Sequence, residues 1–274
     1  MPILSVDLAY SHWSDLGIVV LDRKPDPILD RIFDRVPASP QPGSGSVACE
    51  ILPFNTPGLG PEIDHGPVDA ELLAGRLNHL CGVRGIRVMM LDGPQAWKSE
   101  SNGLVHARVS ERRLNTAAKT GLPGTVKPLS YRRFAEFCLD VYEALCRRGW
   151  QRLGTRGQPA SPQERVLVES YPHAAWKSLG LAPLPSKRRA RISDLAEAYA
   201  ALRAVMPFTT NRPPNHDQLQ AIVGGLPGLA IEERNAAALR IVGSPPCREE
   251  GHWREGFIVL PLPPATPVEV RWLN

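Results

Sequence analysis

Three short apolar runs, each closed by an acidic side chain, constrain the fold of this chain more than any other feature. They lie in the predicted strands PILSVDLA at 2–9, with Asp7 near its end, IRVMMLD at 86–92, closed by Asp92, and RVLVES at 165–170, with Glu169 near its end. Apolar runs of this length without polar alternation suit strands covered on both faces by helices. A carboxylate at the end of such a run sits where the strand leaves the core. There it needs a cation or several donors to remain ionised. If the three strands run parallel, Asp7, Asp92 and Glu169 reach one rim, the carboxyl edge where α/β sheets collect their ligands.

The other elements fall around these strands. Residues 17–22 (GIVVLD) and Val47–Phe54 read as second and third strands, and the short links suit an antiparallel meander. Val68–Val83 is helical, with Leu73, Leu77, Leu80 and Cys81 on one face. Residues 95–129 form a long polar insertion with a short helix near Ser110–Lys119. Helices are predicted at Tyr131–Arg147 and Ile192–Val205. Asn215 caps another that carries Asp217, Leu219, Ile222 and Val223. The segment EGFIVLP reads as a short strand or an extended edge. Proline clusters at 37–67, 158–162, 183–185 and 261–267 mark loops. The expected fold is α/β: a mixed five-stranded sheet with helices on both faces. With 274 residues, 43% of them apolar, the chain can bury one large core. We expect a single domain over 1–274 with an insertion at about 95–129.

Several classes are excluded at this stage. The five cysteines include no Cys-x-x-Cys pair, which argues for free thiols rather than a disulfide framework or structural zinc. No run of about 18 apolar residues suits a membrane span. The start, MPILSVDLAY, lacks the basic-then-apolar plan of a signal peptide, so a cytoplasmic location is expected. A net charge of +4 permits nucleic acid as a partner without requiring it.

Carboxylates gathered at one rim repel one another until a hard cation joins them. Magnesium and manganese prefer oxygen ligands, commonly one or two carboxylates per ion. Such ions stabilise the attacking and leaving oxygens of a phosphoryl displacement. Structural roles stand beside this reading. Asp92 before Gly93-Pro94 can end a strand and accept turn hydrogen bonds. Asp217 can serve as a first-turn acid favoured by the helix dipole. Glu169 can cap the following helix or hold a loop arginine. Asp7, among apolar neighbours in a strand, has the weakest structural alternative.

The segments SVDLAYS, MLDGP, ESYPHAAWKSLG, NHDQLQAIVGG and EGFIVLP occur in the order found in the domain-of-unknown-function family 429, described as predicted RNase H-like nucleases. The resemblance spans Val6 to Pro261. It implies an RNase H-like fold, distantly akin to RuvC-type Holliday junction resolvases, and divalent magnesium or manganese as cofactor. It also implies Asp7, Asp92 and Asp217 as metal ligands, with Glu169, from the Glu-x-Tyr-Pro motif, as a fourth catalytic candidate. One departure stands out. Where the late helix of such proteins often reads Asp-x-x-Asp-Ala, this chain has Gln220 in place of the second acid.

Basic residues cluster in the insertion (Arg108, Arg112, Arg113, Lys119, Lys127, Arg132 and Arg133) and at Lys187, Arg188, Arg189 and Arg191. Arg112, Arg113 and Lys187 are the candidates for substrate phosphate contacts, although such runs are commonly solvated surface. Trp97, Trp150 and Trp176 are candidates for base stacking or for core packing. His12 and His216 lie near the acids, where a lone histidine is commonly structural. The leading reading is a metal-dependent nuclease acting on nucleic acid, with the choice between DNA and RNA left open by the sequence. A non-catalytic nucleic-acid-binding or scaffold protein with a degenerate site is the alternative, favoured by Gln220. A nucleotide-dependent phosphotransferase is disfavoured, because Asp7-Leu8-Ala9-Tyr10-Ser11 has no glycine and no phosphate-loop motif follows.

Overall fold

The computed structural model describes residues 1–24, 46–53, 66–155 and 164–263. Its strands are β1 (Ile3–Asp7), β2 (Gly17–Lys24), β3 (Ser46–Ile51), β4 (Val88–Asp92), β5 (Lys119–Thr120), β6 (Val126–Lys127), β7 (Trp150–Arg152), β8 (Arg165–Ser170), β9 (Phe208–Thr210), β10 (Leu239–Glu249) and β11 (His252–Pro261). Its helices are α1 (Ala70–Arg84), α2 (Val109–Leu114), α3 (Arg132–Arg147), α4 (Pro172–Ser178), α5 (Ile192–Val205) and α6 (His216–Glu232). The proline cluster at 158–162 lies outside the described residues, as do most of 37–67, the end of 261–267 and Phe54.

The mixed α/β arrangement expected from the sequence is present. β1, β2 and β3 form the antiparallel meander, and β4 and β8 continue the sheet parallel to β1. Helices cover both faces. α6 packs with Ile3, Val19, Met90 and Val168 on one side, and α1 and α3 pack with Leu4, Val6, Met89 and Leu91 on the other.

The sheet is larger than the five strands expected: among the described residues it has nine, in the order β10-β11-β8-β4-β1-β2-β3-β9, with β7 beside β8. The additional strands escape a reading of periodicity for physical reasons. β7 and β9 have three residues each, too few to show a period. β10 carries Pro245 and Pro246 within a register shift between Ser244 and Cys247, which an outer strand tolerates because its free edge needs no donors. EGFIVLP is no edge. It belongs to a ten-residue strand that pairs with β10 on one side and β8 on the other. Glu250 and Gly251, both at positive φ, form the two-residue turn of the β10–β11 hairpin. No helix among the described residues is long and apolar enough to cross a membrane.

α6 lies unusually close to the sheet. A Cβ on Gly225 would stand 2.7 Å from Cβ of Ser5. A Cβ on Gly17 would stand 2.2 Å from the carbonyl oxygen of Asp217. Gly17 therefore allows the first turn of α6 to rest on β2 directly beside the end of β1.

Candidate functional site

The register of the sheet brings two of the expected acids together. Asp7 is paired with Asp92 across the parallel β1–β4 ladder, and Asp92 with Ser170 across β4–β8. Asp7 is also paired with Gly17, the residue on which the first turn of α6 rests. That contact carries Asp217 to the same corner.

Asp7 and Asp92 hydrogen-bond to each other through their carboxyl groups. Burial, then the charges of Asp92 and Asp217, hold Asp7 well above the usual carboxylate range. Burial, together with the charge of Glu169, lifts Asp92 to about 7 against the opposing pull of its bond to Asp7. At neutral pH the pair therefore shares a proton, as two close carboxyls must when no cation separates them.

Asp217 differs from its two neighbours. Asn215 caps α6 through Gln218, donating its N–H to Gln218 Oε1 and accepting from Gln218 N–H, both at 2.9 Å. This places Asp217 in the first turn. Lys187 Nζ donates to Asp217 Oδ2 at 2.5 Å and to Asp15 Oδ1 at 2.8 Å. Burial would raise the carboxyl of Asp217, but hydrogen bonds from His216 and Lys187 outweigh it and hold the group below its usual range. Among the described residues no group of three or more His, Cys, Asp or Glu side chains is gathered tightly enough to hold a metal ion. The corner is thus a carboxyl pair with a third acid engaged by a lysine.

Glu169 does not join that corner. It lies one residue before Ser170, and strand alternation turns its side chain away from Asp7 and Asp92. Arg108 holds it from the insertion: Nη1 donates to Oε2 and Nη2 to Oε1, each at 2.7 Å, and the Gln95 N–H adds a bond of 3.1 Å. Glu111 accepts from Arg108 Nε at 3.1 Å and from Thr120 Oγ1 at 2.8 Å. Arg108 and Glu169 are only 1% and 3% exposed. Of the two structural roles open to Glu169, the observed one is holding a loop arginine. Arg108, placed by the sequence in a basic cluster that could meet phosphates or lie at the solvated surface, is instead a buried anchor of the insertion.

The remaining candidates scatter. Arg112 and Arg113 lie exposed on α2, and Lys187 bonds Asp217 and Asp15. Trp97, Trp150 and Trp176 are all buried. Gln220 accepts from Trp176 Nε1 at 2.9 Å, so it serves packing between α4 and α6. His12 is exposed, and His216 Nε2 lies 3.0 Å from the Pro185 carbonyl oxygen. Beside Asp92 a cavity of ≈ 400 Å³ opens, lined in part by Tyr131, Phe134, Tyr171 and His173. Tyr131 and Phe134 stand at the start of the helix predicted over Tyr131–Arg147, where nothing in the pattern marks them as cavity walls.

No family model matches the chain, and no curated protein matches it. The resemblance to family 429 rests on its motifs alone. Among solved structures, RuvC of Thermus thermophilus is similar over 85% of this chain and 96% of that one, with 12% identity and a TM-score of 0.36.

Proposed function

We propose that this chain is a divalent-metal-dependent nuclease that hydrolyses phosphodiester bonds in nucleic acid, with Asp7 and Asp92 as the principal ligands of magnesium or manganese. The observation that carries this reading is the Asp7–Asp92 pair, facing across parallel strands and hydrogen-bonded carboxyl to carboxyl. A donor set of two adjacent carboxylates fits a hard divalent cation completed by water. When bound, such a cation polarises a phosphoryl oxygen and lowers the pKa of a water molecule. Asp7 and Asp92 would hold such an ion, and the proton between their carboxyls would then pass to solvent. Asp217, already ionised, is the third carboxylate of the corner once Lys187 is released to a substrate phosphate. Arg112 and Arg113 add phosphate contacts from the insertion. Glu169 acts as a positioning residue that ties the insertion to β8 through Arg108.

Manganese titration by calorimetry tests this, on wild type and on Asp7→Ala with Asp92→Ala. Binding in wild type that vanishes in the double variant, followed by metal-dependent cleavage of labelled nucleic acid, supports the reading. A folded wild type that takes up no manganese ends it. The Lys187–Asp217 bond and the use of Gln220 in packing favour a second reading, a nucleic-acid-binding protein without catalysis. That protein would bind nucleic acid equally well in the double variant.

A further inference from the structure

The cavity beside Asp92 has a composition unlike the rest of the rim. Tyr131 and Phe134, leading into and within α3, form one wall. Tyr171 and His173, at the start of α4, form another. The insertion closes the cavity at residues 115–118. Its charged lining is already engaged, since Glu111 and Glu169 are both bonded to Arg108. The occupant must therefore be flat and uncharged where it meets the walls, with any charge directed towards Asp92.

We propose that this cavity is a subsite for one unstacked nucleotide of a single-stranded or locally opened nucleic acid, its base between the aromatic walls and its phosphate towards Asp92. The orientation rests on the nuclease reading above; the subsite itself does not. The volume of ≈ 400 Å³ suits a small ligand. A base inside a duplex is covered on both faces and must leave the stack to enter such a pocket. Aromatic walls take any base, because every base has a π-face. Tyr171 is held in place by a bond between its hydroxyl and the Ala117 backbone, which links α4 to the insertion across the cavity. Its ring meets that of His173 at 5.9 Å, tilted by 39°. Burial and the neighbouring Lys177 hold His173 below the usual imidazole range, so near neutral pH it contributes a ring rather than a charge. The three tryptophans that might have stacked on bases are buried, whereas Tyr131 is 38% exposed at the mouth.

Fluorescence anisotropy tests the subsite with a short fluorescein-labelled single strand, as DNA and as RNA, and with the same strands in perfect duplex. Each is titrated with the wild-type protein in EDTA and in manganese. The expected result is a preference for single strand over duplex of about tenfold, with Tyr131→Ala and His173→Ala each weakening single-strand binding by about tenfold. Tyr131→Phe should restore it, and duplex affinity should not move. Both positions are open to solvent, and a thermal melt confirms that the variants fold. Equal binding of strand and duplex, alanine variants without effect, or no binding of either would overturn the subsite. Manganese uptake separates the two proposals. Uptake and cleavage without strand preference remove the subsite alone; strand preference that depends on Tyr131, without manganese uptake, removes the nuclease reading alone.

Discussion

Two groups of acids, one buried and one half-buried, flank the end of β8, and the protein neutralises them differently. On the insertion side, Glu169 and Glu111 share the Arg108 guanidinium, with Thr120 and the Gln95 N–H filling further acceptor positions. On the α6 side, Asp7 and Asp92 have each other, and the cation that acts on Asp7, Lys187, is bonded to Asp217 and Asp15. The first arrangement is complete without a ligand. The second keeps two carboxyls in contact at a cost that only a proton or a cation relieves. Acids of the first kind hold a structure together; acids of the second kind are the ones we propose as ligands of a cation.

The largest effect should come from the completed side. Arg108→Met leaves Glu169 and Glu111 buried without their cation, and should destabilise the protein by about 3–5 kcal/mol in chemical denaturation. A loss below about 1 kcal/mol would mean that the two sides are not different in kind.

Asp7→Asn combined with Asp92→Asn should act in the opposite direction. Without metal at pH 8 it removes a repulsion and should stabilise the fold by about 1.4 kcal/mol or more, since one unit of pKa displacement is worth that much. The same variant should bind no manganese. A destabilised double variant would show that the pair is held by contacts other than the shared proton.

Wild type should show the pair directly in its pH dependence. Asp7 and Asp92 are raised in the folded state, so between about pH 4 and about 7 the folded protein holds protons that the unfolded chain releases. Their contribution to stability therefore falls as pH rises through that window, and manganese or Asp92→Asn should flatten the slope. Asp217, held low, contributes with the opposite sign: its stabilisation is present above about pH 4 and is lost on acidification below it. Melting curves from pH 3 to pH 8 separate the two trends.

The smallest effect is expected at Lys187. Its side chain is 49% exposed, so Lys187→Ala should cost at most about 1 kcal/mol in stability. Manganese affinity should rise severalfold, because Asp217 is no longer bonded to a competing cation. Weaker manganese binding would instead give Lys187 a supporting role in the site.

Much of this corner was legible before any coordinates. The apolar runs ending in Asp7 and Asp92 announced strands covered on both faces, and Asn215 marked the cap that places Asp217, while its reciprocal bonds with Gln218 emerged only in the structure. Glu169 looked equivalent to these acids because it too closes an apolar run. Its offset of one residue from the Asp7–Asp92–Ser170 row is a property of strand register, which no single run reveals. Arg108 read as one more member of a basic cluster, since burial of an arginine depends on acids that lie 61 residues away in β8 as well as three residues along α2.

The sequence by itself determined the central strands and the longer helices, the α/β class and the acids that leave the core, because periodicity and buried charge are local properties of the chain. The tertiary structure alone decided which acids meet, which are silenced and where a cavity opens. Those outcomes depend on register, on the close approach that Gly17 permits between α6 and β2, and on cations delivered from distant loops.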